Sequence, residues 1–455
     1  MIEPQELVER ALRASTADET IVLVTEVSEA ALRWAGNSMT TNGVSRSRSW
    51  TVLAIRREPV TRVGIVTSSS VDPGDVAAVV AAAQAAAEDA APATDAMPLL
   101  DGTGSPGDWG DAFTGTGIAV FDEVIDALTE GFGGSDLLYG FAHHQVCTTW
   151  LGTSTGLRRR YTQPEGSIEV HGKRGGPTGP GAWAGAGTRD FRDVDSTALL
   201  VELDRRLDWA RKSVELPAGR YETLLPPSAV ADLMIYLMWS MEGRGAEEGH
   251  TALSRPGGTR IGEILTPLPL TLYSDPAAPG LECAPFVTAT ASTDAVSVFD
   301  NGLDTGRVDW IRDGTVHALT YPRAAAAEFG ATVTAPGDNL LLTGGSAASI
   351  DDLVACTERG LLLTTLWYMR EVDPATLLLT GLTRDGVYLV EDGEVVAAVN
   401  NFRFNESPLD LLRRATEVGA TERTLPREWK DWFTRTAMPP MRIPDFHMSS
   451  VSAAR

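Results

Sequence analysis

The stretch from Tyr236 to Leu265, YLMWSMEGRGAEEGHTALSRPGGTRIGEIL, opens as an apolar helix, runs into Glu and His, and then meets a glycine-rich turn. A helix bearing a metal-binding His/Glu motif has this outline. The ligands themselves are the difficulty. The six histidines are His143, His144, His171, His250, His317 and His447, and none has a histidine partner at the i+3 to i+5 spacing that puts two ligands on one helical face. The zinc signature HExxH is therefore absent. Glu247 stands three residues before His250, the ExxH spacing of carboxylate-bridged two-metal bundles, but the second copy and extra glutamates of such bundles are missing. The plain reading of EEGH is a solvated loop past a helix end. The Met and Trp residues of LMIYLMWSM fall at helical spacing and read as core.

Outward from this stretch, the chain of 455 residues is 43% hydrophobic, enough for two or three domains with their own cores. Its formal net charge of −23 opposes nucleic acid, which needs a Lys/Arg-rich face, and opposes anionic membrane surfaces. Three scattered cysteines, Cys147, Cys283 and Cys356, make no disulfide framework and suit a reducing cytoplasm. The opening MIEPQELVERALRAS lacks a basic segment followed by an apolar one, so no signal peptide is expected there. No apolar run approaches the ~20 residues of a membrane-spanning helix.

Three blocks emerge. Residues 1–95 hold an amphipathic helix, strand-like alternation in ETIVLVTEV, AALRWAG and SWTVLAIRREPVTRVGIVTSSS, and an Ala-rich helix from about Pro73 to Ala91. The Gly/Pro/Asp-rich residues 96–115 read as a linker or long surface loop. Residues 116–216 hold a helix, a hairpin turning near Thr153–Gly156, and a closing helix with Leu199, Leu203, Leu207 and Ala210 on one face. Residues 217–455 are strand-rich, with Asp-Gly turns inside VDWIRDGTVHAL and VYLVEDGEVVAAV that signal hairpins. The expected fold is α+β and multidomain, with mixed and antiparallel sheets, packed helices and a β-rich C-terminal domain.

Other candidate chemistry is thin. In HHQVC, His143 and Cys147 share a strand face while His144 points to the other, and two ligands without a third make a poor metal site. LTGGSAASIDDL is neither GxSxG nor a Walker loop; Ser349 with Asp352 at the third helical position reads as a capping box. GGPTGPGAWAGAG has two prolines and no following Lys-Ser/Thr, which argues against a phosphate cradle. No nucleophile–base pair, and hence no catalytic residue, can be named from local sequence.

Several phrases, taken in their order and spacing, resemble the TldD/PmbA (TldE) family of metallopeptidase-related proteins along nearly the whole chain. They include GVSRSRSWTVLAIRREPVTRVGIVTSS, VDWIRDGTVHAL, the run from ERGLLLTTLWYMREVDPATLLLTGLTRDGVYLV to LLRRATEVG, and the ending MPPMRIPDFHMSSV. The resemblance implies two subunit types: a TldD member with a zinc-binding HExxxH helix before an acidic Gly-rich loop and a GxxGE turn, and a TldE/PmbA member without that helix motif. Counting back from TRIGE (Thr259–Glu263) places the motif window at Met238–Gly243. Met238 and Gly243 then occupy the histidine slots and Trp239 the general-base slot, which removes both metal ligation and water activation.

The chain thus resembles the TldE/PmbA type, with no metal of its own and zinc expected in an HExxxH-bearing TldD-like partner. The resemblance further implies a cytoplasmic subunit, inactive alone, that forms a hetero- or homodimer and helps to enclose an unfolded or precursor peptide destined for proteolysis. Glu242, Arg244, Glu247, Glu248, His250 and Arg255 are then the candidates for lining the peptide chamber. A peptide-binding scaffold homodimer without catalysis, and an autonomous hydrolase with relocated ligands such as His143, Cys147 or His250, are the alternatives.

Overall fold

The computed structural model describes residues 2–102 and 104–452. Its first half is built on long strands: β1 (Glu19–Ala35), β2 (Met39–Arg56), β3 (Arg62–Ser68), β4 (Leu137–Thr153), β5 (Arg158–Lys173) and β6 (Gly181–Thr188). They form one antiparallel sheet in the order β3-β2-β1-β4-β5-β6. The blocks 1–95 and 116–216, set apart in sequence by residues 96–115, are therefore joined: β1 pairs with β4 from Ile21↔Thr153 to Ala35↔Tyr139.

Alternation along β1 explains why one sheet serves both blocks. Its even-numbered residues face four helices. Val22 and Val24 meet α1 (Pro4–Ala14) and α2 (Val76–Asp89) through Leu7, Val8, Val80 and Ala83. Ala30, Leu32 and Trp34 meet α3 (Asp122–Phe132) and α4 (Ser196–Trp209) through Val124, Leu128, Leu203 and Leu207. On the opposite face Ile21, Leu23, Leu53 and Leu151 pack against Val298 and Phe299 of the third block. The 96–115 stretch contains no helix or strand among its described residues and lies along the sheet, with Leu99 buried and Trp150 Nε1 donating to the Trp109 carbonyl at 3.3 Å.

The third block holds two further large sheets around one helix, α5 (Pro227–Trp239). The larger, mixed sheet contains Gly219–Leu225, Arg359–Leu363, Leu366–Asp373, Phe402–Glu406 and Met441–Val451. The smaller contains Thr271–Ser274, Val308–Arg312, Leu340–Thr343, Thr436–Met438 and Glu422–Thr424. Leu272, Leu340 and Leu342 from the smaller sheet and Leu361, Leu363, Phe402 and Phe404 from the larger enter the same core as the α5 side chains. An apolar helix with no polar face suits this sandwiched position.

Both Asp-Gly turns form as expected. Asp313 and Gly314 have φ of 46° and 77°, and Asp392 and Gly393 have 51° and 84°. Those left-handed pairs fit type I′ hairpin turns, whose twist matches the flanking strands. Among the described residues no helix is long and apolar enough to cross a membrane.

Candidate functional site at the end of helix α5

Helix α5 stops at Trp239 with Ser240 as its cap: the Ser240 N–H donates to the carbonyls of Tyr236 and Leu237 at 3.3 and 3.0 Å, and its hydroxyl donates to the Tyr236 carbonyl at 3.0 Å. The chain then leaves helical geometry. Thr320 N–H donates to the Met241 carbonyl and Gly243 N–H to the Thr320 carbonyl, both at 2.9 Å, before the short helix α6 (Gly243–Glu247) begins. The window Met238–Gly243 is thus a helix end, a strand-like bridge and a second helix start, with no common helical face.

Each of its three slots has a different fate. Met238 is 8% exposed, with its sulfur 4.0 Å from the Ser274 hydroxyl, which in turn accepts from Trp310 Nε1 at 2.9 Å. At Gly243 a Cβ would fall 2.3 Å from the edge of the Tyr321 ring, itself buried. Trp239 turns outward, 40% exposed. A thioether in the core, a position closed by a tyrosine ring and an indole at the surface do not suit a zinc site, which needs three convergent N, O or S donors.

The residues expected to line a chamber are close in sequence but divided in space. Glu247 accepts from the Tyr321 hydroxyl at 3.0 Å, and burial together with this carboxylate raises the phenol above its ordinary range. Arg244 stacks over the Phe329 ring and pairs with Glu248 at 3.2 Å and with Glu328. His250 lies in solvent, 70% exposed, with Nδ1 3.5 Å from Glu248. Arg255, exposed, sits on the two-residue ladder formed by Ser254–Arg255 and Gly258–Thr259. Glu242 opens onto a groove, and burial with the nearby Asp294 raises its carboxyl, while Arg244 lines a separate recess of about 160 Å³ with Asp95 and Asp294. Among the described residues no three His, Cys, Asp or Glu side chains converge in a metal-binding group.

That groove, of about 430 Å³, has an aromatic floor. Trp239 and Trp429 meet edge to face with centroids 5.1 Å apart, and Tyr236 lies 5.8 Å from Trp429. Met369, Arg370 and Glu371 of an edge strand form one wall. Two of that strand's N–H groups are already taken: Met369 donates to Glu428 and Glu371 to the Tyr236 hydroxyl, each at 3.2 Å.

Sequence reading missed what fixes Trp429. Asp232, a single acid inside the apolar helix α5, is fully buried and accepts the N–H groups of Arg427, Glu428 and Trp429 at 3.2, 2.9 and 3.3 Å. Trp429 Nε1 returns a bond to the Asp232 carbonyl at 3.0 Å. Burial drives the Asp232 carboxyl well above its ordinary range, against the pull of those backbone donors. The signal in the sequence was the lone Asp in AVADLMIYLMW, since buried acids persist where they are hydrogen-bonded.

The other sequence candidates are structural or incomplete. His144 is buried, its ring bonded to Thr116 Oγ1 at 2.6 Å and the Arg189 carbonyl at 2.9 Å, and burial lowers its pKa. His143 stacks on Phe141, 4.0 Å from Glu29. Cys147 is held in the thiol form by burial. Ser349 and Asp352 make the expected reciprocal capping box.

A family model described as the PmbA/TldA metallopeptidase C-terminal domain matches residues 218–450. The chain belongs to the PmbA/TldD family. The fold agrees along the whole length with solved relatives. TldE from Thermococcus kodakarensis is 17% identical with a TM-score of 0.78, the match covering 97% of this chain and 98% of that one. A Thermotoga maritima protein named as a candidate modulator of DNA gyrase is 14% identical, with a TM-score of 0.77 over 97% and 99%. A similarly named Bacteroides thetaiotaomicron protein is 13% identical, with a TM-score of 0.76 over 99% and 100%. No curated protein matches the chain.

Proposed function

We propose that this PmbA/TldD-family chain is the non-metal subunit of a two-subunit, TldD-type cytoplasmic peptidase, acting as partner and chamber wall for a zinc-bearing HExxxH subunit. The carrying observation is the break between α5 and α6, which leaves Met238 in the core, Trp239 at the surface and position 243 closed by Tyr321. A family member without hydrolytic donors at this place contributes shape and contact while chemistry resides in the other subunit. Unfolded or precursor peptides are the substrate class of the pair.

The experiment is purification of the chain alone and with an HExxxH-bearing relative. Alone it should hold no stoichiometric zinc and cleave no unstructured peptide; together, chelator-sensitive cleavage should appear. Chelator-sensitive cleavage by the lone chain overturns the reading. The aromatic groove beside α5 favours a second reading, a peptide-binding homodimer without catalysis. Peptide affinity, with no association with such a relative, would select it.

A further inference from the structure

A second cavity, which shares no lining residue with the groove, lies within the third block. It has a volume of about 620 Å³, with Cys283, Phe286, Leu303, Val308 and Val333 among its apolar walls. A smaller recess of about 190 Å³ opens beside it, and the two share Ala284, Phe286, Thr288 and Asp338. The floor of the recess is a face of β4 and β5: Gln145 is the cross-strand partner of Glu165, Cys147 of Gln163, and Thr149 of Tyr161.

Two features give this recess a preference. The first is charge. Arg435 is clamped between two carboxylates, Glu165 at 2.7 Å and Asp338 at 2.7 Å. One guanidinium against two carboxylates leaves a surplus negative charge. The Glu165 side chain is largely enclosed, whereas that of Asp338 is 58% exposed. The second feature is an acceptor without a donor. Gln163 Nε2 donates to two backbone carbonyls, Pro164 at 2.9 Å and Glu282 at 3.1 Å. Those two acceptors fix the amide orientation, because a flipped amide would set its oxygen against them. Gln163 Oε1 is therefore directed away from both, buried, with no protein donor in reach.

A site with surplus negative charge and a spare buried acceptor, next to an apolar cavity, suits a cation that carries several N–H donors and an apolar substituent. We propose that the recess binds a primary ammonium group of an extended peptide, at Asp338 and Gln163 Oε1, with the adjoining apolar side chain in the larger cavity. This rests on the reading of the chain as a peptide-holding subunit. The ammonium comes either from the peptide's amino terminus or from a lysine side chain, and the chemistry required of the recess is the same.

The test uses the full chain alone and an unstructured octapeptide with a leucine at its amino terminus, one lysine near the other end and a carboxy-terminal fluorophore, read by anisotropy. Acetylating the amino terminus, or replacing the lysine by norleucine, should weaken binding about ten-fold or more, the scale of one charge-assisted hydrogen bond. Whichever change does so identifies the source. Asp338→Asn should weaken the intact peptide similarly and have no effect on the peptide whose ammonium has been removed. That non-additivity is a readout which general damage to the fold would not produce.

Equal binding of all three peptides, additive effects, or no binding of any of them overturns the inference. None of these outcomes touches the two-subunit reading, which stands or falls on zinc content and on cleavage by the reconstituted pair.

Discussion

At the scale of single residues, one firm constraint is at Gly243. A methyl group there meets the buried Tyr321 ring, so Gly243→Ala should destabilise the chain by about 1–3 kcal/mol, the usual cost of overpacking. A lowered urea midpoint with unchanged slope would check this. The cysteines differ as sharply. Cys356 is exposed, whereas burial, with Asp338 adding to it, pushes the Cys283 thiol up to about 12. Because the thiolate is the reacting form, a maleimide at pH 8 should modify Cys356 rapidly and Cys283 only on unfolding. Mass spectrometry of a labelling time course separates the two; fast modification of Cys283 in the native chain would contradict the burial argument.

At the scale of elements, α5 and the segment around Trp429 form one unit through Asp232. Asp232→Ala leaves three N–H groups without their acceptor and should cost about 3 kcal/mol or more. Trp429 would lose its setting against Trp239, so near-ultraviolet circular dichroism should change alongside the melting temperature. This scale also shows what the sequence made legible. The hairpin of β4 and β5, the Asp-Gly turns and the capping box at Ser349 are local, and each was readable because its cause lies within a few residues. The path of the chain after α5 was not, since it depends on Thr320 and Tyr321, some 80 residues downstream. For the same reason the six candidate chamber residues, close in sequence, are spread over a salt-bridge network, a tyrosine, solvent and the aromatic-floored groove. Asp232 was visible as an anomaly but not as an anchor, because its partners come from Arg427–Trp429.

At the scale of the whole molecule, the first sheet is tied to the third block by buried charge. Glu169 on β5 lies 3.1 Å from Lys430 and 3.7 Å from Arg427, with His171 at 3.5 Å. Burial alone would raise the Glu169 carboxyl, but the His171 hydrogen bond and the two cations outweigh it and hold the group at about 2, against an ordinary 4.5. The folded state therefore stays ionised where the unfolded chain takes up a proton. The stabilisation, of order 3 kcal/mol, is complete above pH 4.5 and is lost as pH falls towards 2. Stability measured from pH 6 to 2.5 should decline less steeply in Glu169→Gln, although that variant is weaker at neutral pH. An unchanged slope would show that other carboxylates govern acid unfolding.

The pairing of β1 with β4 has a consequence for how the chain is made. On a ribosome, β1 and β2 emerge together and can close as a hairpin at once. The partner for the other side of β1, the strand β4, begins at Leu137, ~100 residues beyond Ala35, and arrives roughly 5–20 s later at ordinary elongation rates. Throughout that interval a 17-residue strand presents an open row of backbone donors and acceptors. The nascent protein is thus most prone to aggregate while it is still attached to the ribosome, and fragments ending before Leu137 should be insoluble unless a chaperone shields that edge.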